Sequence, residues 1–300
     1  MWEIINLAFL FSAITAGTPL IFAALGGLFS ERSGVINIAL EGLMLSGAFT
    51  AAVVTFQTGN PYFGMLAGIG AGAATALIYA VAVIRFEADQ VVAGMAINFL
   101  MLGLPALISG VIYDSTGSTP QIDQAHKIPM IINGLSWASL LALALIPLAW
   151  YTVYMTSFGL RLRAVGENPE AADAAGINVL RLRYAAVVIS GILAAIGGAF
   201  LSTGQSSLFT RGMSAGRGYI ALAALILAKW KPVPVLFACL FFGFTEAVTI
   251  QIQGLTWGGE PIPVQFIEMI PYVATIIVLA GFIGLSRAPK ALGKPYRKES

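Results

Sequence analysis

The chain has 300 residues, of which 58% are hydrophobic and only 10% charged; the formal net charge is +2 and the mean hydropathy +0.86. A soluble domain carries about 25% charged residues, so that class is excluded, and no hydrophilic stretch is long enough for a separate nucleotide-binding fold. Cys239 is the only cysteine and His126 the only histidine, which excludes an intrachain disulfide and a multi-Cys or multi-His metal site.

Nine apolar stretches are long enough, or nearly so, to cross a bilayer core of about 30 Å. They run over 4–28, 35–56, 62–84, 90–112, 137–157, 184–204, 215–230, 233–253 and 263–285. The expected fold is therefore all-α and polytopic, one domain over 1–300 with about nine spans (eight to ten). The first stretch lacks a positive leading region and reads as a span rather than a cleaved signal peptide. The second and seventh are Gly-rich, polar-flanked or short, so either can be a broken helix. In the second, Asn37 and Glu41 are four apart, which places them on one helical face. Asn98 lies in the fourth. The longest connection expected outside runs from Tyr113 to Ser136 and carries Asp114, Asp123, His126 and Lys127.

Residues 158–183 form a polar island with four arginines. Asn168 can cap a short helix, Pro169 suits its first position, Glu170 faces the positive end of its dipole, and Gly176 can close it in a left-handed conformation. The spacing predicts a helix over 169–175, about 10 Å long. A short helix held in a loop between spans suits docking to another protein; an ordinary basic cytoplasmic loop is the alternative.

Further along, Glu246, Thr249 and Gln253 form an i, i+3, i+7 stripe in the eighth span, and Glu268 lies near the outer end of the ninth. Polar groups in lipid are costly, so Asn37, Glu41, Asn98, Glu246, Thr249 and Gln253 are candidates for a polar path. Their alternative role is hydrogen bonding between helices, which suits Asn98 best. The tail carries Arg287, Lys290, Lys294, Arg297 and Lys298, which places the C-terminus in the cytoplasm. Counting back through alternating spans leaves only Lys127, Arg211 and Arg217 of the 16 basic residues outside, with the N-terminus outside and the polar island inside.

A weak internal echo joins Leu28-Phe29-Ser30 and Ile38-Ala39-Leu40 with Leu208-Phe209-Thr210 and Ile220-Ala221-Leu222. One connector is expected inside and the other outside, the arrangement of an inverted repeat; a chance likeness between Gly/Ala-rich spans would give the same echo. The chain carries no phosphate-binding Gly-x-x-x-x-Gly-Lys-Ser/Thr loop, no His-Glu-x-x-His and no Gly-x-Ser-x-Gly. It is not expected to be an enzyme or to hold a cofactor. Active transport would then draw on an ion gradient or on another subunit.

Three motifs carry a resemblance. Leu25-Gly-Gly-Leu-Phe-Ser-Glu-Arg-Ser-Gly-Val-Ile-Asn-Ile-Ala-Leu-Glu-Gly-Leu-Met44 resembles the early signature of permease subunits of bacterial nucleoside ABC importers, within the wider branched-chain amino acid and simple-sugar permease family. The stretch Gly159–Gly176 is similar to that family's ATPase-docking loop, and Gly216-Arg-Gly-Tyr-Ile-Ala-Leu-Ala-Ala224 with Lys229-Trp-Lys-Pro232 to the later signature of its nucleoside branch. The resemblance implies a type II-like importer fold and a prokaryotic plasma membrane. It also implies a second, often non-identical permease subunit, cytoplasmic ABC ATPases, and an extracytoplasmic binding protein, commonly a lipoprotein. Gly166, Glu167, Asn168, Pro169, Glu170, Ala171, Ala172, Ala175 and Gly176 would then meet the ATPase. A simple-sugar or branched-chain amino acid permease is the near alternative. A proton-coupled carrier relaying through Glu41 or Glu246 is the alternative of another class. No nucleic-acid partner is expected.

Overall fold

The computed structural model describes residues 7–132, 135–253, 256–257, 260–261, 264–282 and 288–297. Arg287, Lys298 and the side chain of Glu268 lie outside these residues. Among the described residues, seven helices are long and apolar enough to cross a membrane: α1 (Leu7–Arg32), α2 (Leu40–Thr58), α3 (Pro61–Ala80, continued as a π-turn to Arg85), α4 (Gln90–Tyr113), α5 (Trp137–Met155), α8 (Val179–Phe200, continued as a π-turn to Ser206) and α10 (Pro232–Ile252). The polar island folds as α6 (Ser157–Glu167) and α7 (Pro169–Ala174).

Two expected spans are shorter than a full crossing. The stretch 215–230 yields only α9 (Arg217–Leu227), 11 residues or about 16 Å, because left-handed residues at Gly212, Ala215 and Gly216 break the chain before it. The stretch 263–285 is divided into α11 (Val264–Glu268) and α12 (Ile270–Phe282).

Close contacts fix the directions of the helices. Gly26 lies on Ser190 while Gly197 lies on Pro19, so α1 and α8 run antiparallel. Gly17 meets Cys239 and Ala13 meets Gly243, so α10 runs antiparallel to α1. Likewise Gly191 meets Ala76 and Ala199 meets Gly68, so α3 runs antiparallel to α8. Gly27 lies against Leu222, and Arg32 bonds to Trp230, which sets α9 parallel to α1. Asn37 reaches Ser190 and Ser202 reaches Ala48, which sets α2 parallel to α8. Thus α1 packs on α8, α9 and α10, while α8 packs on α1, α2 and α3. The second helix set is the first turned upside down; of the echoed residues, Leu28-Phe29-Ser30 lie in α1 and Ile220-Ala221-Leu222 in α9, while Ile38-Ala39 and Leu208-Phe209-Thr210 lie in the two broken connections.

Small residues make these approaches close. A Cβ on Gly47 would sit 2.4 Å from the Ala195 carbonyl oxygen, and one on Gly198 1.9 Å from that of Met44. Lipid is as apolar as the side chains, so van der Waals fit rather than burial from water drives this packing.

Candidate functional site

The connection 33–39 leaves α1, turns back into the protein and feeds α2. Its backbone groups cannot find water in the bilayer and must be met by protein. Ser30 Oγ donates to the Val35 carbonyl, and Arg183 Nε to that of Ser33. Gln90 Oε1 accepts from Ile36 N–H at 2.8 Å, Tyr79 Oη donates to the Ile36 carbonyl, and Asn98 Nδ2 donates to that of Ile38. Asn37 is fully buried within this non-helical stretch, so the expectation that it shares a helical face with Glu41 is corrected. Its Nδ2 donates to Ser190 Oγ at 2.8 Å, and its Oδ1 has no partner among the described residues.

Glu41 stands in the first turn of α2 and reaches across to the start of α9. Its Oε1 accepts from Ser214 Oγ at 2.5 Å and Gly216 N–H at 2.8 Å; its Oε2 accepts from Gly218 N–H at 2.7 Å. The first N–H groups of a helix lack intrahelical partners, and Gly216, at the N-cap of α9, offers no side chain. Glu41 therefore caps α9 from the other repeat, with the positive ends of two helix dipoles on one carboxylate. Gly218 is required here, since a Cβ would lie 2.4 Å from the Glu41 nitrogen. Asn98 completes the junction: its Oδ1 accepts from Gly42 N–H and its Nδ2 also bonds Tyr219 Oη. The far end of α9 lies beside Arg32, so the helix's length of about 16 Å separates Arg32 from Glu41.

Next to this junction, on the α9–α10–α12 side, lies a cavity of about 350 Å³. Its lining includes Arg217, Phe242, Glu246, Thr249, Gln253 and Tyr272. The structure thus gathers the stripe on α10 in one cavity and places Asn37, Glu41 and Asn98 in the neighbouring junction. Arg217, counted from the sequence with the outer loops, instead lies at the level of Glu41, where its Nη2 pairs with Glu246 Oε1. Its Nε is buried without a partner among the described residues. The Thr249 hydroxyl donates to the Thr245 carbonyl and Tyr272 Oη to that of Ala215. Apolar side chains such as Leu20, Ile220 and Ile250 make up most of the rest of the lining, around the Arg217–Glu246 pair and the polar ends of Thr249, Gln253 and Tyr272.

On the face where α1 ends, α7 has the caps its sequence predicts. Asn168 Oδ1 accepts from Ala171 N–H at 3.0 Å, Pro169 opens the helix, and Gly176 closes it at φ +81° with its N–H on the Asp173 carbonyl. Glu167, Asn168, Glu170, Ala171, Ala175 and Gly176 are exposed, and Pro169 partly so. Gly166 and Ala172 are buried: a Cβ on Gly166 would strike the Arg32 carbonyl, and Ala172 packs with Val165, Val179 and Tyr296. Burial raises the pKa of the Tyr296 phenol, helped by the neighbouring Asp173 carboxylate. Sequence reading missed Tyr79, Gln90, Arg183, Ser190, Ser214, Tyr272 and the helix α6. Only the Arg217–Glu246 pair left a signal, two opposite charges within apolar stretches.

Two inverted sets of helices, each broken where its partner begins, with a structured polar loop on one face, define a multi-pass membrane permease. The family described as the permease component of the branched-chain amino acid transport system matches residues 9–279, and the chain belongs to it. It is 43% identical to the guanosine ABC transporter permease protein NupQ of Bacillus subtilis, over 96% of this chain and 95% of that one. Identity to the nucleoside ABC transporter permease protein NupC of Lactococcus lactis is 39%, over 94% of each. A second guanosine ABC transporter permease protein of Bacillus subtilis, NupP, is 27% identical over 94% of this chain and 82% of its own length. Among solved structures, an inward-facing ABC transporter of the metal-chelate type shares the fold, with a TM-score of 0.50 and 17% identity over 93% of this chain and 88% of that one.

Proposed function

We propose that this chain is the permease subunit of an ATP-driven nucleoside importer, forming a single domain in a prokaryotic plasma membrane. The observation that carries the reading is the pairing of a buried polar junction between inverted broken helices with an exposed, doubly capped α7 on one face. The relatives' names favour nucleosides over sugars or branched-chain amino acids. The proton-carrier alternative fits less well, because Glu41 is an acceptor for three donors that a protonated carboxyl would partly release. ATP hydrolysis belongs to a cytoplasmic ATPase docked on α6 and α7, and solute delivery to an extracytoplasmic binding protein or lipoprotein. Two Bacillus subtilis proteins of the same transporter name match at unequal identity, which supports a non-identical second permease subunit. The polar path runs by Glu246, Thr249 and Gln253, and Asn37, Glu41 and Asn98 hold the broken helices beside it.

The complex, purified with its native partners and placed in liposomes, is expected to take up labelled guanosine only with ATP and without a proton gradient; uptake driven by the gradient alone sinks the reading. Exposed Ala171→Arg is expected to uncouple hydrolysis from uptake, and full transport by that variant removes the docking role of α7. Ala172→Arg would be a poor test, since buried Ala172 supports α7 from beneath. Orientation is checked with an impermeant thiol reagent. Gln124→Cys is expected to react from outside and Ala175→Cys only from inside, against a silent background because Cys239 is buried. Reaction of both from one side would overturn the N-out, C-in arrangement.

A further inference from the structure

Residues 289–297 form a strap across the face that carries α6 and α7. Ala291 N–H donates to the Gly166 carbonyl at 2.9 Å, at the end of α6, and Gly293 N–H to the Gly34 carbonyl at 3.0 Å, in the first broken connection. Arg183 of α8, only 2% exposed, joins the same parts: Nη1 donates to the Lys294 carbonyl at 3.1 Å and Nε to that of Ser33 at 3.2 Å. No carboxylate pairs with it among the described residues. A buried guanidinium without a counter-ion is costly, and here it satisfies carbonyls from two segments over 250 positions apart. At its far end the strap is fastened to the α3–α4 connection, where Arg297 Nε meets both oxygens of Glu87 at 2.7 and 2.9 Å. Tyr296 is packed under α7 on Ala172, while an open cleft of about 690 Å³ separates Glu167 and Glu170 from Lys290, Lys294 and Arg297. The strap is thus joined to the docking helices at points, not along their length.

We infer that the strap and Arg183 are positioning elements of coupled transport: they tie α6 and α7 to the broken connection 33–39, so that displacement of the docking helices reaches the start of α2 and the Glu41 junction. This rests on the reading of α6 and α7 as the ATPase-docking helices.

The test uses the full-length chain in the reconstituted complex, with uptake and hydrolysis measured together. Ala291→Pro removes the donor to Gly166, and Arg183→Gln removes the guanidinium. Both are expected to keep the ATPase bound and hydrolysing while uptake per ATP falls about ten-fold; Arg183→Lys, which reaches one carbonyl, is expected to recover part of the loss. A merely structural role would lower uptake and hydrolysis together, and that result, or parental uptake per ATP, overturns the inference. Dissociation of the ATPase also overturns it, because the strap would then be part of the docking surface. Should these variants fail to fold, Glu87→Cys with Arg297→Cys, joined by a short reducible bifunctional thiol reagent in place of the ion pair, fixes the strap. Uptake is expected to stop and to return on reduction, with hydrolysis continuing; unchanged uptake in the joined form overturns the inference. An Ala171→Arg variant that transports fully sinks the docking reading itself, whereas an uncoupled Ala171→Arg beside neutral strap variants sinks the strap alone.

Discussion

The two broken connections are upside-down counterparts, yet they are held in different ways. The first, 33–39, has one left-handed residue, Gly34 at φ +92°, and takes side-chain hydrogen bonds from α1, α3, α4 and α8. The second, 207–216, has four left-handed residues, two of them the non-glycines Ser207 and Ala215. It is held mainly by backbone pairing with the connection after α4: Thr119 N–H to Phe209, Ile122 N–H to Ser207 and Arg211 N–H to Gly117. A non-glycine residue in the left-handed region costs of order 1–3 kcal/mol. The first connection is therefore a relaxed seat keyed by side chains, and the second a strained strip held along its first half by backbone pairing and at its α9 end by Glu41 and Tyr272. The strained one borders the cavity through Ala215.

Glu41 is where the two connections depend on each other, and breaking it has the largest expected effect. Glu41→Ala leaves the Gly216 and Gly218 N–H groups buried without an acceptor, at about 1–3 kcal/mol for each. Thermal unfolding in detergent, followed by reaction of the buried Cys239 thiol, should show a large drop; an unchanged melting curve would mean that the junction does not hold α9. The difference in strain is sharpened by a pair of opposite substitutions. Gly34→Ala should destabilise by about 1–3 kcal/mol, since it adds a Cβ at φ +92° and 2.9 Å from Arg183 Nη2. Ala215→Gly should stabilise by about 1 kcal/mol by relieving φ +46°. Equal signs for the two would remove the distinction between a relaxed and a strained connection. Glu246→Gln keeps an amide oxygen that can accept from Arg217 and so should cost less stability than Glu41→Ala, although the pair, only about one-fifth exposed on each side, loses its charge. Its effect should instead appear in uptake, as a slower rate with altered solute preference. Parental kinetics would return Glu246 to a purely structural role.

The sequence by itself determined what depends on composition and on neighbours within four residues. Ten per cent charge over 300 residues leaves only a membrane fold. Asn168, Pro169 and Gly176 specify α7 almost to the residue, because a cap is a bond between a side chain and a backbone group two or three positions away. Tertiary structure alone decided the rest. Asn37 is spaced to continue a helix with Glu41, but the packing of α3, α4 and α8 supplies partners that let the chain leave helical geometry there. Arg217 looks like an outer-loop cation until α9 starts deep in the protein beside Glu246. Glu41 finds its acceptor role 173 residues away at Ser214, and Arg183 holds Ser33 from 150. Such bonds carry no periodic signal in the sequence: a buried carboxylate or guanidinium needs a partner, but which one it meets is set by how closely the glycine-lined helices approach.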